Sequence, residues 1–100
     1  MSSKFDRQAV GVFELDTLCA CFIALDAASK AADVQIQGVE RNRLKAGACV
    51  SMRGSVASVE AAMEAALKAA EPIAKIVSHT IIASPIPEAE DTIHSVLFKS

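Results

Sequence analysis

Val34-Gln35-Ile36-Gln37-Gly38-Val39-Glu40-Arg41-Asn42-Arg43-Leu44-Lys45-Ala46-Gly47-Ala48-Cys49-Val50-Ser51-Met52-Arg53-Gly54-Ser55-Val56 reads as two strands joined by a short basic loop. Val34, Ile36 and Val39 face one way, with Gln35, Gln37 and Glu40 between them or beyond the break at Gly38. After the loop, Ala48, Val50 and Met52 alternate with Cys49, Ser51 and Arg53, the two-residue period of a half-buried strand. The connector carries a turn former at each end, Asn42 and Gly47, and the cations Arg43 and Lys45 between them. Gly54 stops the second strand and Ser55 supplies a hydroxyl suited to a helix N-cap. The result is a hairpin on which the other elements have to pack.

Working outward, Gln8 to Leu15 reads as a strand, apolar at Ala9, Val10, Val12, Phe13 and Leu15. Asp16 or Thr17 caps a helix that reaches Ala31 or Ala32. Its apolar stripe is Leu18, Cys21, Phe22, Leu25, Ala28 and Ala32, with Asp26 and Lys30 on the opposite side. On the other flank of the hairpin, Ser55 to Glu71 is a second helix, with Val59, Met63, Ala66, Leu67 and Ala70 inward and Glu60, Glu64 and Lys68 outward. Pro72 closes it. Ala74 to Ala83 is a fourth strand, and Pro85 and Pro87 forbid its continuation. Glu88 to Phe98 is expected as a short C-terminal helix.

The predicted order, β-α-β-β-α-β plus a terminal helix, is an α+β domain of the ferredoxin-like type with a four-stranded antiparallel sheet. Right-handed crossovers place both helices on one face, so the other face is expected to be solvated or covered by another subunit. One hundred residues make a single domain over 1–100, with flexible termini expected at 1–7 and 98–100. Nineteen alanines and only four aromatic residues give a core of small side chains, in which helices lie close to the sheet and leave little room for an enclosed ligand. A net charge of −2 without long runs of like charge argues against nucleic acid as a partner. The first residues lack an apolar signal core, and the apolar run Leu18 to Leu25 is far shorter than a membrane span, so no membrane partner is expected. Three cysteines, an odd number in apolar contexts, are expected as reduced thiols in a cytoplasmic protein.

Catalytic chemistry finds no constellation. His79 and His94 are the two histidines, and no Ser or Cys stands in a nucleophile elbow. Cys19 and Cys21, two apart on a helix, point to different faces and so do not share a metal. Core filling by Cys21 and semi-buried packing by Cys19 are expected. Cys49 follows the basic loop, and copies of it meeting on a rotation axis are the one route to a metal or cluster; packing is the favoured reading. Glycines 11, 38, 47 and 54 are scattered and form no phosphate loop. No enzyme activity, metal or cofactor is expected.

Five segments, in this order and spacing, carry a resemblance: Gln8-Ala-Val-Gly-Val-Phe-Glu14, Ala24-Leu-Asp-Ala-Ala-Ser-Lys-Ala-Ala-Asp-Val34, Gly38-Val-Glu-Arg41, Arg53-Gly-Ser-Val-Ala-Ser-Val-Glu-Ala-Ala62 and Val77-Ser-His-Thr-Ile-Ile-Ala-Ser-Pro85. From Gln8 to Glu90 the chain resembles the single-domain, hexamer-forming shell proteins of bacterial microcompartments. The resemblance implies a cyclic homohexamer tiled edge to edge around enzymes, with other shell proteins and the enclosed enzymes as partners and small metabolites passing a central pore. It also implies that Asn42, Arg43, Leu44, Lys45, Ala46 and Gly47 line that pore, in a segment one residue longer than is usual in relatives.

At the hexamer edge the resemblance places Lys30 against its counterpart in the neighbouring hexamer; the residues alone give a solvated helix lysine paired with Asp26. The second edge segment contains Ser84 and Pro85. Where the family commonly has Arg before this proline and His after it, this chain has Ser84 and Ile86, a departure that puts self-tiling in question. A ferredoxin-like regulatory homo-oligomer that binds a small ligand is the alternative, lowered by the lack of a second domain to regulate. An RNA-binding version of the fold is poorer still, because the central strands carry no stacking aromatics.

Overall fold

The computed structural model describes residues 8–41 and 47–83. In chain order the elements are β1 (Ala9–Leu15), α1 (Leu18–Ala31), β2 (Gln35–Arg41), β3 (Ala48–Gly54), α2 (Val56–Ala70) and β4 (Ile76–Ile82). The strands form one antiparallel sheet in the order β2-β3-β1-β4, the arrangement expected from two interleaved β-α-β units. The expected C-terminal helix and the edge segment with Ser84 and Pro85 lie outside the described residues.

Local chemistry sets the helix ends. Ala20 N–H donates to Thr17 Oγ1 at 3.1 Å, so Thr17 rather than Asp16 caps α1. Ser58 N–H donates to Ser55 Oγ at 3.1 Å, as the Gly54-Ser55 signal predicted for α2. Each such cap is worth about 1 kcal/mol. Past α2, Ile73 and Ala74 N–H both donate to the Ala70 carbonyl at 2.9 Å. That turn consumes Ala74, so β4 starts at Ile76 rather than at Ala74 as the sequence suggested.

The core lies between the helices and one sheet face. Phe13, Leu15, Ala48, Val50 and Met52 are fully buried there against Ala20, Cys21, Ala24 and Ala28 of α1 and Ala62, Met63, Ala66 and Ala70 of α2. Burying Phe13 or Leu15 contributes about 1.5–3 kcal/mol each. The facing small residues let the two helices pack closely on one another and on the sheet. A Cβ at Gly11 would sit 2.7 Å from Val59 Cγ1 and 3.2 Å from Met63 Cε, so α2 packs directly on the β1 backbone.

Three expectations need correction. Phe22 is not in the α1 stripe: it is 58 % exposed, and the buried positions are Ala20, Cys21, Ala24 and Ala28. The run Leu18 to Leu25 is apolar all round, so its periodicity left the buried side ambiguous, and the tight helix packing selects the smallest side chains. For the same reason Cys19 is exposed, not semi-buried. The sheet face away from the helices is also not bare over its centre, since Val10, Ser51 and Arg53 are buried within the single chain. Leu67 is partly buried, packed at the margin of the core.

Candidate functional site

The resemblance singles out the tip of the β2–β3 hairpin, the outer side of α1 and the segment after β4. The structure describes the first in part and the second fully.

At the hairpin, the register runs Gln35 opposite Arg53, Ile36 opposite Met52, then Gly38 opposite Ser51, Val39 opposite Val50 and Arg41 opposite Ala48. The shift between Ile36 and Gly38 absorbs Gln37 as an extra residue. This is how Ile36 and Val39, three apart, come to the helix-facing side together. Of the expected pore residues, 42–46 lie outside the described residues, and Gly47 is described. Gly47 is buried, and a Cβ there would collide with the Leu15 carbonyl oxygen and come within 2.9 Å of Asp16 Cα. Gly47 therefore seats the return of the hairpin directly on the end of β1, a close approach beyond its expected part as a turn former.

On α1, Lys30 Nζ lies 2.8 Å from Asp26 Oδ2. Both side chains are well exposed, and the pair sits on an outer side that also presents Cys19, Phe22, Ile23 and Ser29. Asp26, by hydrogen bond and then by charge, holds the Lys30 ammonium above its ordinary pKa, so it stays protonated. The i,i+4 spacing made this pair legible in the sequence; the apolar flanks were not.

Across the face away from the helices, the strand pairings line up Glu40, Cys49, Glu14 and Ser78 in one row. Burial first, then the Glu14 carboxylate, Cys21 and Glu40, push the Cys49 thiol above its ordinary pKa. A thiol held protonated is a poor nucleophile and a poor metal ligand. Among the described residues no three His, Cys, Asp or Glu side chains gather as a metal site. Cys21 is buried, 3.4 Å from the Thr17 carbonyl oxygen and 3.6 Å from that of Ala48, and desolvation raises its pKa too. His79 is exposed on β4, and no helix among the described residues is long and apolar enough to cross a membrane. The row around Cys49 depends on strand register, so the sequence offered no signal for it.

The described residues thus bring together a four-stranded antiparallel sheet with both helices on one face, a hairpin whose return is seated at Gly47, and an outer α1 face that carries the Asp26–Lys30 pair. The chain belongs to the BMC domain family, whose model matches residues 9–85. It is 38 % identical over 85 residues to the bacterial microcompartment shell protein EutM of Salmonella typhimurium, an alignment covering 84 % of this chain and 86 % of that protein. It is 34 % identical over 92 residues to the carboxysome shell protein CcmK3 of Halothece sp., covering 90 % and 88 %. In fold it is similar to a microcompartments protein from Desulfitobacterium hafniense DCB, with a TM-score of 0.75 at 20 % identity. That alignment covers 92 % of this chain and 48 % of the other, so this chain spans about half its length. The family is one of structural shell proteins rather than enzymes.

Proposed function

We propose that this protein is a structural tile of a bacterial microcompartment shell in the cytoplasm, assembled as a cyclic hexamer. The observation that carries this reading is the similarity to EutM along most of both chains, at 38 % identity. On this reading residues 42–47 surround a pore on the hexamer axis, and the close seating of Gly47 on Leu15 and Asp16 fixes the base of that loop. Arg43 and Lys45, repeated in every subunit around one narrow axis, favour anions or neutral polar metabolites over cations. Leu44 either leaves that axis open or closes it by apolar contact.

Lys30 serves the hexamer edge, where a small contact is multiplied along the tiling. Ser84 and Ile86 replace side chains that bridge hexamers in the resembling family, which favours tiling with sister shell proteins over tiling with copies of itself. Mass under native conditions tests the reading at its root: a hexamer at micromolar concentration is expected, and a monomer overturns it. Electron microscopy then distinguishes sheets from free hexamers, and Lys30→Ala is expected to weaken sheets while leaving the hexamer and its Tm unchanged. For the pore, replacing Arg43 and Lys45 together by Ser is expected to reduce anion binding on the axis; unchanged binding refutes the charge selectivity.

A further inference from the structure

We infer that Asp16 is a positioning residue for the tip of the β2–β3 hairpin: by clasping Lys75 it holds the Leu15–Asp16 peptide as the seat on which Gly47 leads the chain back into β3. Among the described residues, regular pairing at this end of the sheet stops at Ala48, which faces Leu15 on one side and Arg41 on the other. Gly47, one residue earlier, is held by close packing instead. A Cβ there would collide with the Leu15 carbonyl oxygen and lie 2.9 Å from Asp16 Cα and 3.1 Å from its carbonyl carbon. The hairpin backbone thus rests on this one peptide.

The same peptide is tied to the start of β4. Asp16 N–H donates to the Lys75 carbonyl at 3.2 Å, and Lys75 N–H donates to Asp16 Oδ1 at 2.9 Å. The β1–β4 ladder shifts register between Glu14 and Leu15, just before this point. A side chain makes the shorter of the two bonds, so a single substitution removes it and leaves the backbone bond in place. The inference rests in one respect on the pore reading above, because the loop that Gly47 closes carries Arg43 and Lys45. There Asp16 acts against the sign of its own charge. A carboxylate acting through its field weakens anion binding, whereas one that pre-organises the cations strengthens it.

Two measurements on the wild type, Asp16→Ala and Asp16→Asn test this: alkylation of the native protein by iodoacetamide at about pH 8, and calorimetric binding of inorganic phosphate. Half-buried Cys49, two residues past Gly47, reports on the seat. Loss of one hydrogen bond shifts a local opening equilibrium by about fivefold. Cys49 in Asp16→Ala is therefore expected to react about fivefold faster than in the wild type. Exposed Cys19 should be unchanged and buried Cys21 still protected. Asp16→Asn keeps the acceptor and should react like the wild type. Phosphate is expected to bind Asp16→Ala about fivefold more weakly, and Asp16→Asn at least as tightly as the wild type. Equal acceleration of Cys49 in both variants assigns the effect to charge, and acceleration of Cys21 in step with Cys49 assigns it to global unfolding. Either result overturns the inference, as does an unchanged Cys49. Tighter phosphate binding by Asp16→Ala overturns its extension to the loop cations. If the wild type binds no phosphate, or binds it equally after Arg43 and Lys45 become Ser, the pore reading fails and the alkylation rates alone decide the role of Asp16.

Discussion

Asp16 and Lys75, 59 residues apart in sequence, exchange two hydrogen bonds: Asp16 N–H donates to the Lys75 carbonyl at 3.2 Å, and Lys75 N–H donates to Asp16 Oδ1 at 2.9 Å. The carboxylate that the sequence offered as a helix cap instead ties the end of β1 to the start of β4, next to the register shift at Glu14 and Leu15. Asp16→Ala is expected to cost about 1 kcal/mol, seen as a Tm lower by about 4–8 °C at fixed protein concentration. Asp16→Asn keeps the acceptor and should stay close to the wild type. Equal losses from both variants would show that the charge, not the hydrogen bond, is what counts.

The two well-packed glycines should rank clearly. At Gly47 a methyl group meets backbone atoms of Leu15 and Asp16, which have no room to move, so Gly47→Ala is expected to destabilise by about 3 kcal/mol or more. At Gly11 the neighbours are the ends of the Val59, Met63 and Met52 side chains, and Gly11→Ala should cost about 1–2 kcal/mol. Chemical denaturation of both variants gives the comparison, and a Gly11 variant weaker than the Gly47 variant contradicts the packing described.

Face assignment on α1 is testable by size. Ala24 is fully buried between α1 and the core, so Ala24→Leu should cost about 1–3 kcal/mol by overpacking. Phe22→Ser removes a largely exposed side chain and should change subunit stability by no more than about 0.5 kcal/mol. A large loss from Phe22→Ser would return Phe22 to the buried stripe or place it in a subunit interface, and concentration dependence of the loss separates these two.

The thiols should differ in reactivity and in their effect on stability with pH. An alkylating reagent near pH 8 is expected to modify exposed Cys19 first, half-buried Cys49 slowly and buried Cys21 only on unfolding. Unfolded cysteine ionises near pH 8.5, and the folded pKa values of Cys21 and Cys49 lie higher. Above the unfolded value the unfolded chain therefore binds fewer protons than the folded one, so stability falls as pH rises. The contribution is fully present below about pH 8.5 and is lost as pH climbs through the folded values. Cys49→Ser should flatten part of this alkaline decline; an unchanged profile in both Cys49→Ser and Cys21→Ser would assign it elsewhere.

What the sequence determined by itself was carried by local, periodic signals. The alternation from Ala48 to Arg53, the Ser55 cap, Pro72 and the i,i+4 pair of Asp26 with Lys30 are each readable within a few residues, because they follow from backbone geometry and short-range chemistry. The β-α-β-β-α-β order followed from those signals in series, while the family resemblance rested on five sequence segments in their order and spacing. Tertiary structure alone decided which side of an all-round apolar helix is buried, since only the approach of α1 to α2 and the sheet separates Ala24 from Phe22. It alone aligned Glu14, Cys49 and Glu40 through strand register, seated Gly47 on Leu15 and turned Asp16 from a cap into a clasp on Lys75. In each case the deciding partner lies far away along the chain, where no local period can report it.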